Sequence, residues 1–208
     1  MGDIASAELE QIEFRKARLS PLLKDEGALS KRRMHNICEQ KKLEVAEALL
    51  NGEILYRKGM YSDAFVALKK GVDLDDNLPF DEPWGWMVPV RHALAALLLE
   101  QGEVVKAIVV YRQDLIIHPK NIWSLVGLRD CLLHRMDSED AIDLLELGIM
   151  VDEVQKLGLM IKESQERTGV TAPSASCACA VVKWKDVGAH VGEENGTKSS
   201  TKSCCSKK

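Results

Sequence analysis

Four cysteines near the C-terminus are the residues of this chain best suited to metal or thiol chemistry. Cys177 and Cys179 form a Cys-x-Cys pair, and Cys204 and Cys205 are adjacent in the sequence. Four thiolates can bind zinc tetrahedrally, but structural zinc sites usually show two Cys-x-x-Cys pairs. The pattern leaves three alternatives open: soft-metal or redox binding through Cys177 and Cys179, reversible lipidation of the tail cysteines, and unpaired thiols.

Further motifs for catalysis are missing from the sequence. The five histidines are scattered without ligand spacing, and there is no phosphate-binding loop, nucleophile elbow or zincin motif. The neighbouring acids Asp81 and Glu82 could act as acid and base, but capping of the following helix is the simpler interpretation. We therefore predict that the protein is not an enzyme and uses no cofactor. An enzyme would need a convergent polar cluster beside Trp84.

The stretch DEPWGWMVPV combines two tryptophans with two prolines and suggests either a binding site or a structural joint. Trp84, Trp86 and Trp123 could line a pocket for an aromatic or proline-bearing ligand, or could fill the core of an aromatic-poor protein. Several polar residues nearby are candidates to face an edge or a groove. They are Arg91, His92, Arg112, Asp114 and His118.

The overall composition favours a helical protein without a nucleic-acid-binding face. Hydrophobic residues make up 46% of the 208 residues, aromatic residues only 5%, and the net charge is −4. No apolar run approaches the length that spans a bilayer, and the N-terminus lacks the pattern of a secretory signal. We expect a cytoplasmic protein whose cysteines stay reduced, with neither nucleic acid nor membrane as a partner.

Two segments in the middle of the chain repeat the same pattern. In each, an apolar run ends at a glycine, followed by an apolar residue, a small residue and a large residue at fixed offsets. A weaker third copy contains Ala141 and Leu145, but has Met136 in place of the glycine. The matching residues are Gly59, Tyr61, Ala64 and Leu68 in the first copy, and Gly102, Val104, Ala107 and Tyr111 in the second.

These motifs resemble the tetratricopeptide repeat, a helix–turn–helix unit of 34 residues. Ala107 and Ala141 are separated by 34 residues, whereas Ala64 and Ala107 are separated by 43, because a proline-containing connection lies between them. The resemblance implies an all-α fold, a right-handed stack (α-solenoid) of about three such hairpins. The predicted domains are an N-terminal helical arm (1–44), the repeat domain (45–166) and a disordered tail (167–208) rich in Cys, Ser and Lys.

A narrower resemblance is carried by FDEPWGWMVPVRHALAALLLEQG, VYRQDLIIHPKN and WSLVGL. These segments are similar to an uncharacterised group of tetratricopeptide-type proteins, best known in bacteria. In that group an acidic-Pro-aromatic connection precedes a PVR helix, and members often end in Cys-x-Cys. The resemblance implies a fold and no particular reaction.

The resemblance also implies protein–protein binding through the concave groove formed by the first helices of the hairpins. The carboxylate clamp of chaperone-binding members is absent, so the groove would suit a helical or extended apolar segment of another protein. Trp84 and Trp86 would form a lip. The alternative is a groove filled by the protein's own N-terminal helix. The predicted groove residues are Leu49, Glu53, Tyr56, Arg57, His92, Ala96, Leu99, Trp123, Val126 and Asp130.

Overall fold

The computed structural model describes residues 3–18, 33–138 and 142–170. This part of the chain is helical, apart from a short antiparallel pairing of β1 (Arg33–Met34) with β2 (Ile37–Cys38). The helices are α1 (Ile4–Arg18), α2 (Glu39–Arg57), α3 (Tyr61–Asp76), α4 (Val90–Glu100), α5 (Val104–Ile117), α6 (Ile122–Met136) and α7 (Leu144–Thr168).

Consecutive helices pack against each other along the chain. Helices α2 and α3, α4 and α5, and α6 and α7 form three hairpins, and α3 packs on α4 as α5 packs on α6. The first helices of the hairpins also touch, α2 with α4 and α4 with α6. An amphipathic hairpin cannot bury its own apolar face, so each hairpin completes its core on its neighbour.

Glycines at two helix ends explain the tight turns of the first two hairpins. Gly59 and Gly102 adopt φ angles of +78° and +76°, the left-handed conformation that only glycine adopts without a steric penalty. The following helices then start at Tyr61 and Val104. Gly59 and Gly102 therefore form the turns that follow the first helices of these hairpins, as the repeat pattern predicted.

Close packing of the first hairpin depends on a third glycine. A Cβ atom added to Gly52 in α2 would lie 2.5 Å from Cγ of Leu68 in α3. Leu68 is fully buried, as is the small residue Ala64 one turn earlier. The small and large positions of the pattern thus form the contact between α2 and α3.

Helix α4 is the centre of the molecule. Its residues from Val90 to Leu99 are all buried, because α2, α3, α5 and α6 surround it. A helix that is apolar on all sides is expected only in such a position. The sequence HALAALLL, too short to span a membrane, is explained by this central place.

The prediction of an all-helical chain is confirmed for the described residues, and several details differ. The boundary predicted after residue 44 falls inside α2. The last helix continues to Thr168, past the predicted end of the repeat domain at 166. Leu145, the large residue of the third copy, is 76% exposed, so it does not plug a groove. Ala141 and the predicted tail from 171 onward lie outside the described residues.

Candidate functional site

The long connection between α3 and α4, residues 77–89, is fixed to the rest of the molecule at several points. Ile37 of β2 is buried against Gly85 so closely that a Cβ atom there would collide with its side chain. Asn36 donates a hydrogen bond to the carbonyl oxygen of Phe80 at 3.4 Å. Asp81 is buried, and Trp86 is half-buried against the core. The connection is therefore a packed part of the fold.

Two acids at the end of α3 hold the beginning of α4. Asp76 accepts a bidentate pair of hydrogen bonds from Arg91, the geometry that makes arginine–carboxylate pairs specific. Asp75 accepts a hydrogen bond from the backbone N–H of Val90 at 3.2 Å, which satisfies a donor that the helix itself leaves free. Burial raises the pKa of Asp75 to about 6.

A fully buried carboxylate, Asp114, is the centre of a polar cluster that joins α4, α5 and α6. Its Oδ2 accepts a hydrogen bond from the hydroxyl of Ser124 at 2.5 Å and from the amide of Asn121 at 3.4 Å. Nε2 of His92 lies 3.2 Å from the same oxygen. Burial alone raises the pKa of Asp114, but the hydrogen bonds from His92 and Ser124 bring it below its usual value. The cluster therefore contains an ionised acid inside the protein.

The cluster reaches the surface through His118 and Trp84. Nε2 of His118 lies 4.0 Å from Oδ1 of Asp114, and the His118 ring packs on the Trp84 ring with centroids 4.1 Å apart. Burial lowers the pKa of His118, so its ring is neutral at pH 7. His118 therefore links the buried Asp114 to Trp84 of the connection.

The cluster has the residue types of a hydrolase triad but a different arrangement. The Ser124 hydroxyl donates to Asp114, whereas a nucleophilic serine donates to the histidine that activates it. Asp114, His92 and Ser124 are all buried. Within the described ranges, no group of three or more His, Cys, Asp or Glu side chains has the geometry to hold a metal ion. The cluster lies beside Trp84, where an enzyme would need a convergent polar cluster, and its hydrogen bonds join α4, α5 and α6.

Several large apolar side chains of the connection are exposed. Phe80 is 75% exposed, Met87 66%, Val88 53% and Trp84 48%. This short segment therefore presents four large apolar side chains to water. We call these four residues the connection patch.

The predicted groove residues lie in different environments. Buried residues cannot contact a partner in this conformation, so the middle of the predicted groove, on α4, is closed. Tyr56 is buried beside Tyr61 and Phe65 and accepts a hydrogen bond from Gln101. The buried members are Tyr56, His92, Ala96, Leu99 and Val126; Leu49, Glu53, Trp123 and Asp130 are half-buried, and Arg57 is exposed.

The N-terminal helix packs on the other side of α2. Gln11 donates a hydrogen bond to Asn51 at 3.2 Å, and Arg15 pairs with Glu47 at 3.1 Å. Glu47 and Asn51 precede the predicted groove residues Leu49 and Glu53 by two positions each. Two positions correspond to a rotation of about 200° about the helix axis. Helix α1 therefore does not occupy the predicted groove, and residues 19–32 lie outside the described part of the chain.

The five polar residues that the sequence suggested at an edge or a groove lie in different places. Arg91, His92 and Asp114 are buried, His118 contacts Trp84, and Arg112 pairs with Glu153 at 2.7 Å. Ser124 was overlooked, because a serine inside an apolar helix has no recognisable motif. The predicted metal residues Cys177 and Cys179 lie outside the described residues.

Of Cys38 and Cys131, the two cysteines within the described residues, Cys131 is buried, and burial together with the neighbouring Asp130 raises the pKa of its thiol to about 12. This thiol stays protonated and unreactive. None of the described helices combines the length and apolar character needed to cross a membrane.

No protein-family model matches this chain, and neither the curated proteins nor the solved structures include a significant match.

Proposed function

We propose that this chain is a protein-binding scaffold of the tetratricopeptide type. The proposed architecture is a right-handed stack of three hairpins. Its support is the alternation of contacts, in which each hairpin touches the next and the first helices α2, α4 and α6 adjoin. The glycine turns at Gly59 and Gly102 and the start of α4 directly after Pro89 agree with that architecture. The cysteine usage favours a cytoplasmic location.

The observation that carries the proposal is the connection patch. The connection that carries it is held to the hairpins by Asp76–Arg91 and by the contact of Trp84 with His118 beside the Asp114 cluster. A preorganised apolar surface loses little conformational entropy when a partner binds. We propose that the connection patch supplies the main contact with another protein. The exposed remainder of the groove, with Arg57 and the half-buried Glu53 and Asp130, would add polar contacts for a helical or extended segment.

Site-specific photo-cross-linking in an extract of the source cells tests this proposal. A benzoylphenylalanine at Met87 should capture a defined partner, because the side chain at that position faces the proposed interface. Val66 on α3 is the matched control, since it is 67% exposed compared with 66% for Met87. Leu133 on α6, which is 43% exposed, reports on the groove side.

The proposal predicts a partner band that is strong from Met87 and weak from Val66. Strong capture from Leu133 alone would place the partner in the groove and contradict the role of the patch. Equal capture from all three positions would indicate non-specific contact and contradict the proposal as a whole.

A further inference from the structure

The connection patch lies in a strongly acidic part of the sequence. Residues 73–90 contain five acids, Asp73, Asp75, Asp76, Asp81 and Glu82, and no lysine, arginine or histidine. Arg91 neutralises Asp76, and Asp81 is buried, so the charge that a partner would meet comes from the exposed acids Asp73 and Glu82. An apolar surface with such a charge attracts a segment that combines apolar side chains with cations, because complementary potentials favour the encounter.

The chain itself contains a segment of this composition. Val181, Val182, Lys183, Trp184 and Lys185 follow one another directly and combine three apolar side chains with two cations. Tryptophan is among the residues that contribute most to binding at interfaces. This segment lies outside the described residues, and its match to the patch is one of composition and charge.

The described chain ends on the same edge of the molecule as the patch. Near the end of α7, Ser164 donates a hydrogen bond to the carbonyl oxygen of Lys120, and Glu163 pairs with the Lys120 side chain at 3.0 Å. Lys120 follows His118, whose ring contacts Trp84, by two residues. The described chain ends at Val170, six residues after Ser164, and the ten residues 171–180 that separate Val170 from Val181 can span up to about 35 Å. The length of the chain therefore permits contact.

We propose that residues Val181–Lys185 bind the connection patch of the same molecule and occupy it until another protein displaces them. This inference rests on the proposed function of the patch and adds a regulator to it. A tethered segment acts at an effective concentration in the millimolar range, so even weak binding is sufficient for occupancy. A partner must then compete with this segment, and its apparent affinity falls by the fraction of molecules that are occupied.

Cross-linking of the purified full chain tests the inference. With benzoylphenylalanine at Met87, we expect an intramolecular cross-link whose peptides map to Val181–Lys185, in a product of monomer mass. The yield should exceed that from Val66 by about tenfold, since only the former lies on the patch. Cross-links from Met87 to other regions, a dimeric product, or equal yields from both positions would overturn the inference.

Charge reversal in the full chain supplies the second readout. Lys183→Glu with Lys185→Glu should reduce the Met87 cross-link to this segment about tenfold, because it would bring negative charges towards the exposed acids Asp73 and Glu82. Lys202→Glu with Lys207→Glu is the matched control and should leave the yield unchanged. An equal reduction in both variants would overturn the proposed charge complementarity.

The two proposals fail in different ways. A partner captured from Met87 in extract, without an internal cross-link in the purified chain, overturns the self-contact and leaves the proposed function intact. An internal cross-link without any partner in extract supports the self-contact and contradicts the binding function.

Discussion

The turns within the hairpins and the connection between the first two hairpins are stabilised in different ways. At one end, Gly59 and Gly102 form short turns in which nothing lies within 4 Å of the position of a Cβ atom. At the other end, a thirteen-residue connection, 77–89, is held by Asp76–Arg91 and by the cluster around Asp114. The first end depends on the conformation of single residues, whereas the second depends on side chains from four helices. The surface that we propose for binding lies where the fold is held by such long-range contacts.

The largest predicted effect comes from removing the centre of the cluster. Asp114→Ala leaves His92 and Ser124 buried without their acceptor, which we expect to lower the free energy of unfolding by about 3 kcal/mol. Urea denaturation measures the change. Gln113→Ala on the exposed side of the same helix is the control, and an equally small loss in both variants would contradict a structural role for the cluster.

A smaller loss is expected where the first hairpin is packed most closely. Gly52→Ala brings a methyl group against Leu68, and such overpacking costs about 2 kcal/mol. Thermal unfolding gives the measurement. Gly148→Ala in α7, where the added methyl group contacts nothing, should instead stabilise the protein by about 0.5 kcal/mol. A stabilised Gly52→Ala variant would show that the contact between α2 and α3 is looser than described.

The connection end should also respond to pH through Asp75. Its pKa is raised by burial to about 6 in the folded protein, against about 3.9 in an unfolded chain. The folded state therefore holds a proton that the unfolded state releases, so stability decreases as the pH rises from about 4 to about 6. Asp75→Asn should stabilise the protein by about 1–2 kcal/mol at pH 7, after allowance for partial exposure, and by almost nothing at pH 4.

Unfolding free energies measured between pH 4 and 8 test this dependence. Asp73→Asn, on an exposed position of the same helix, should leave the pH profile of the parent unchanged. An Asp75→Asn variant that tracks the parent at every pH would show that this carboxyl group is not perturbed.

The smallest effect is expected at the turn end. Gly102→Ala forces a side chain into a φ of +76°, at a cost of about 1 kcal/mol. Gly102→Asn should cost less, because asparagine tolerates this conformation. Chemical denaturation compares the two, and equal losses would indicate that the turn adopts another geometry in solution.

The difference between the two ends also explains what the sequence could predict. The turn glycines Gly59 and Gly102 and the small and large positions Ala64 and Leu68 follow from local rules, and the structure places them as expected. The closure of the groove could not be predicted, because it depends on four helices around Ala96 at once. The cluster was only partly foreseen, since nothing in the sequence pairs Ser124 with Asp114.

The central claim is tested most directly by measuring the Kd between this protein and the partner captured at Met87. Phe80→Ala with Met87→Ala removes exposed side chains of the connection patch, and Val66→Ala with Val105→Ala removes equally exposed ones from other helices. We predict a Kd more than about tenfold higher for the first pair and an unchanged Kd for the second. Unchanged binding by the first pair, or equal weakening by both, would contradict the claim that the connection between α3 and α4 is the binding surface.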